Sequence, residues 1–76
     1  MVKELIEYIV KSLVDQPDAV AINLTQEGSR NTVKIKVSEL DLGRIIGKDG
    51  QTIRAIRALV TSVLPAGQEI AIDVTK

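Results

Sequence analysis

Gly47-Lys48-Asp49-Gly50 sets two glycines three apart around a lysine and an aspartate, with Ile45 and Ile46 before them and Ile53 after. Glycine admits backbone conformations closed to other residues and lets a ligand come close to the main chain. Gly47 follows the last apolar residue of a short helical pattern, where a left-handed C′ position favours glycine. Gly50 stands where a second helical pattern begins. The first N–H groups of a helix lack internal partners, and its dipole is positive at that end. A phosphate fits against such a helix start, and Lys48 at the tip adds a flexible point charge. Gly-x-x-Gly alone is a weak signal, since most instances are sharp turns between packed helices. Its place between two amphipathic segments is what points to phosphate.

Asp49 works against that reading, because an anion beside a phosphate is unfavourable. It is expected to cap the following helix, accepting from the N–H groups a phosphate would use and so lowering affinity.

Composition excludes much other chemistry. The 76 residues include no cysteine and no histidine, which removes disulfides, thiolate metal sites and the usual near-neutral acid–base group. No carboxylate pair converges with a suitable base, so neither catalysis nor a metal or cofactor is expected. A nucleotide-binding P-loop fails on spacing: three residues separate Gly43 from Gly47, and Lys48 precedes Asp49 rather than Ser or Thr. No apolar run approaches the ~20 residues that span a bilayer, and no signal peptide is evident, so a cytoplasmic protein without a membrane partner is expected. Net charge is zero but unevenly placed. Arg30 to Arg57 carries seven basic and three acidic residues, or +4, and the rest carries three basic and seven acidic, or −4. Tyr8 is the only aromatic residue, so bases could not be held by aromatic stacking.

The elements that must position the loop follow from periodicity. Val2, Leu5, Ile6, Ile9, Val10, Leu13 and Val14 trace one face of a helix that Pro17 ends, with Glu7 and Lys11 paired on its other side. Val20, Ile22 and Leu24 alternate as a strand, Glu27-Gly28-Ser29 turns, and Val33, Ile35 and Val37 return as its hairpin partner. Ser38 with Asp41 matches a capping box, starting a short helix at about Glu39 that carries Leu40, Leu42, Ile45 and Ile46. A longer helix runs from about Gln51 to Leu64 with Ile53, Ile56, Leu59, Val60, Val63 and Leu64 as its stripe, ended by Pro65 and Gly67. Ile70, Ile72 and Val74 form a last strand. The order α-β-β-α-α-β implies an α+β domain, a three-stranded mixed sheet with helices on one face. The helical crossover makes the last strand parallel to the second.

Ile46-Gly47-Lys48-Asp49-Gly50-Gln51-Thr52-Ile53 resembles the Ile-Gly-x-x-Gly-x-x-Ile signature of the KH domain, whose loop clamps about four nucleotides of single-stranded nucleic acid. The element order resembles the type II, bacterial arrangement, over essentially all of residues 1–76 as a single KH domain. The resemblance implies that Gly47, Lys48, Asp49 and Gly50 hold the backbone of single-stranded RNA, and that some of Arg44, Ile45 and Ile46 line a base-binding groove. It also implies RNA chaperoning and post-transcriptional control, a role in cell-envelope or division physiology, and pairing into a homodimer or with a larger KH protein. From the residues themselves, Gly43 either lets a base approach its helix or lets that helix pack closely on the sheet. Arg54 and Arg57 lie on the outer side of the long helix, as phosphate contacts or as solubilising charges; Lys34 and Lys36 fall on the open sheet face. A helix-turn-helix DNA reader fits the three strands poorly. The alternative of a different class is a protein-interaction or dimerisation module with weak or no nucleic-acid binding.

Overall fold

The computed structural model describes residues 2–76. Helix α1 (Val2–Leu13) leads through a single 3-10 turn at Pro17–Ala19 into the hairpin of β1 (Ala21–Glu27) and β2 (Arg30–Lys36). Helices α2 (Glu39–Ile46) and α3 (Gln51–Val63) follow, separated by a 3-10 turn at Lys48–Gly50, and β3 (Glu69–Thr75) ends the fold. The sheet order is β1-β2-β3. The hairpin is antiparallel, with Ala21 opposite Lys36 and Glu27 opposite Arg30. β3 runs parallel to β2, Arg30 opposite Glu69 and Lys36 opposite Thr75. This is the expected α+β topology.

Period-two alternation puts Val33 and Ile35 under the helices, fully buried, and leaves Lys34 and Lys36 exposed on the opposite face. Ile6 and Val10 from α1, Ile45 from α2, and Ile56 and Val60 from α3 close the core with Val37. A fully buried Val or Ile contributes about 1.5–3 kcal/mol, so these few side chains carry the fold. Glu7 and Lys11 pair at 3.1 Å across one turn of α1 as expected. No helix among the described residues is long and apolar enough to cross a membrane.

Two local expectations are corrected. Ser38 does cap α2, its Oγ accepting from the Leu40 N–H at 3.3 Å, but Asp41 does not complete a capping box. Its buried carboxylate accepts instead from the backbone N–H groups of Asp15 and Gln16, both at 3.0 Å. Asp15 and Gln16 lie just past the end of α1, so one side chain ties that end to the start of α2. The apolar stripe of α3 is also narrower than its periodicity suggests. Leu59 and Val63 stay 56% exposed, because Ile56 and Val60 already face the sheet; Leu40 is likewise exposed.

Candidate nucleic-acid interface

The loop between α2 and α3 is shaped by three residues of positive φ. Gly47 has φ 76° and ψ 172°, Asp49 has φ 56° and ψ 26°, and Gly50 has φ 74° and ψ 17°. Gly47 therefore has the positive φ expected but an extended ψ, a combination that belongs to glycine almost alone. Its N–H donates to the Gly43 carbonyl at 2.8 Å, ending α2, and its carbonyl accepts from the Gly50 N–H at 3.1 Å. A Cβ on Gly47 would lie 2.8 Å from both the Cβ and the backbone N of Thr52, and closer still to its Oγ1. Glycine is thus required at Gly47 by conformation and by space.

Asp49 is not the cap expected of it. Gly50 takes the N-cap position of α3, with no side-chain cap bond, and leaves Asp49 one residue outside the helix. The helix start is therefore not covered by a carboxylate. The first N–H of α3, on Gln51, donates to the Lys48 carbonyl, whereas the first N–H groups of the 3-10 turn, on Lys48 and Asp49, have no acceptor within that turn. Lys48 is exposed and makes no ion pair among the described residues. The N–H groups of Lys48 and Asp49, a positive helix end and an exposed ammonium are groups that can interact with an anion.

The other expected residues divide. Gly43 is exposed with open space where a Cβ would stand, so its role is not close packing on the sheet, and a planar group can approach α2 there. Arg44 is exposed and donates from Nη1 to Asp15 Oδ1 at 3.1 Å. Ile46 is partly exposed beside the loop, whereas Ile45 is fully buried and anchors α2 in the core rather than lining a groove. Arg54 reaches back along α3 and donates from Nη1 to the Asp49 carbonyl at 2.6 Å. Arg57, one turn on, lies at the junction of two hollows between α3 and β3. One, of about 100 Å³, is lined by Ile53, Arg54, Arg57 and Ile72. The other, of about 440 Å³, continues along β3 past Thr61, Ile70 and Ala71.

The smaller hollow sets Ile53 and Ile72 between Arg54 and Arg57 next to the loop, and the larger is more polar, with Arg30, Gln68 and Glu69 in its lining. β3 has a neighbour on one side only, so its other side offers unpaired peptide groups. The aliphatic groove wall from β3, Ile70 and Ile72, and the wedge supplied by Thr52 were not among the residues singled out from sequence. The parallel edge position of β3 carried the signal for the first. Thr52 gave no signal, because only the folded loop brings it onto Gly47.

Three helices on one face of a mixed sheet, with Ile-Gly-x-x-Gly-x-x-Ile joining the last two, define a KH domain of the type II arrangement. A family model described as KhpA/KhpB, KH domain, matches residues 3–74. The chain belongs to that family. It is 35% identical over 74 residues to the RNA-binding protein KhpA of Thermotoga maritima, covering 97% of this chain and 99% of the relative. Identity to the RNA-binding protein KhpA of Chlamydia pneumoniae is 46% over 61 residues, 80% of this chain and 78% of that one. Against the protein of the same name from Borreliella burgdorferi it is 52% over 58 residues, 75% and 70% of the two chains.

Proposed function

We propose that residues 1–76 act as a single KH domain that binds single-stranded RNA, and that Gly47-Lys48-Asp49-Gly50 receives the phosphate backbone. The observation that carries this reading is the glycine-flanked helix start, free of a side-chain cap, beside the unpaired ammonium of Lys48. Gly43, Arg44 and Ile46 border the loop on the α2 side, and Arg54 and Arg57 on the α3 side. Bases would rest on Ile53 and Ile72 and be read by the peptide edge of β3, as no aromatic platform lies there. Few phosphates and no stacking make for weak, sequence-tolerant binding, which suits RNA chaperoning and post-transcriptional control in the cytoplasm. The family resemblance extends this to cell-shape physiology. A binding module is proposed, not an enzyme. The test is a titration with single-stranded oligouridylate followed by amide NMR. Shifts are expected at Gly47, Lys48, Gly50 and Ile72, and shifts confined to the open sheet face at Lys34 and Lys36 would contradict the assignment.

Leu59 and Val63, exposed one turn apart on α3, favour a second, compatible reading. They would seat a homodimer partner, or the KH domain of a larger KhpB-like protein, and so join two weak sites in one assembly. Sedimentation of wild type and Leu59→Glu decides it: self-association lost in the variant supports the surface, and unchanged association removes it.

A further inference from the structure

We infer that Arg54 is a positioning residue, whose guanidinium holds the loop in its binding shape rather than gripping phosphate itself. The inference rests on the RNA-binding reading for its consequence, but its structural content stands on the free protein.

Asp49 is the only non-glycine residue of positive φ among those described, and Gly50 repeats the left-handed turn directly after it. Two such residues in succession are spanned only by the bonds of a single 3-10 turn, Gly50 N–H to the Gly47 carbonyl and Gln51 N–H to the Lys48 carbonyl, since Asp49 lies outside the α3 ladder and its side chain makes no cap. The peptide that joins them is fixed at both ends. Its N–H, on Gly50, donates to the Gly47 carbonyl at 3.1 Å. Its carbonyl, on Asp49, accepts from Arg54 Nη1 at 2.6 Å. The same nitrogen lies 3.1 Å from where a Cβ on Gly50 would stand, so the guanidinium also closes the space over that glycine. Arg54 is thus a brace from the first turns of α3 back to the loop, beside the Thr52 wedge at Gly47. A charge-assisted bond to a carbonyl is stronger than a neutral one, which suits a guanidinium to the task. Without it the loop must be ordered when RNA binds, and that cost appears as lost affinity.

A direct phosphate contact and a positioning role differ in their salt dependence. Each neutralised phosphate of a single strand contributes about 0.7 to the slope of log affinity against log salt. The experiment compares wild type, Arg54→Met and Arg54→Lys in two measurements. In the free protein, Gly50 amide exchange is expected to be about tenfold faster in Arg54→Met than in wild type, and intermediate in Arg54→Lys, with the Val33 and Ile35 amides unchanged as a check on folding. With oligouridylate, Arg54→Met is expected to weaken binding about three- to tenfold with the salt slope of wild type, and Arg54→Lys to recover part of it. Unchanged Gly50 exchange in Arg54→Met, or a slope reduced by about 0.7, would overturn the proposal. Absence of RNA binding by wild type, together with faster Gly50 exchange in Arg54→Met, would refute the RNA reading and leave the brace standing.

Discussion

Thr52 occupies the volume that a Cβ on Gly47 would need, with its own Cβ and backbone N both 2.8 Å from that point. The loop and the first turn of α3 are therefore one packed unit. Gly47→Ala meets both the clash and a φ of 76°. It is expected to destabilise the domain by about 2–4 kcal/mol, read as a fall in Tm of about 4–8 °C per kcal/mol. Adding Thr52→Ala removes Oγ1 and the Cγ2 methyl but leaves the two 2.8 Å contacts in place, so little stability should return. Full recovery in the double variant would show that the Thr52 side chain beyond Cβ alone sets the requirement.

Asp41 joins two segments far apart in sequence by accepting from Asp15 and Gln16. Its carboxylate is buried, and removing it leaves two N–H groups without their acceptor. Asp41→Ala is expected to cost about 2–4 kcal/mol in urea denaturation, a large share of a small domain's stability. Amide exchange at Asp15 and Gln16 should accelerate with it. A loss below about 0.5 kcal/mol would mean that water replaces the carboxylate without penalty.

Arg44 and Asp15 pair at 3.1 Å with both side chains well exposed, so the pair adds little to the fold. It does hold a cation beside the loop against an anion that RNA would repel. Asp15→Asn keeps the backbone N–H that Asp41 uses and removes the charge. Stability is expected to stay within about 0.5 kcal/mol of wild type while RNA affinity rises about two- to fivefold at low salt. Weaker binding in this variant would show that Asp15 serves to orient Arg44 for RNA.

How much of this was legible beforehand follows from the range of each interaction. The strands and helices were, because Val33 and Ile35, or Ile6 and Val10, write their environment into a local period. The loop was, because two glycines between helical patterns leave few alternatives. Asp41 was misread since its partners lie 25 and 26 residues away, while Ser38 is close by and fits a familiar pairing. Asp49 was misread since capping depends on which residue holds the N-cap, and Gly50 holds it. Periodicity could not separate Val60, buried, from Leu59, exposed, because a short three-stranded sheet covers less of α3 than the helix offers.

The central claim is that Lys48 and the open N–H groups around it hold RNA through phosphate. Its most direct test is oligouridylate affinity measured across a series of salt concentrations for wild type and Lys48→Asp. Wild type should show a slope of about −1.5 to −2 in log affinity against log salt, as expected for two or three phosphates. Lys48→Asp should bind at least about tenfold more weakly at low salt, with a slope shallower by about 0.7 or more. Equal affinity and equal slope in the two proteins would contradict the account.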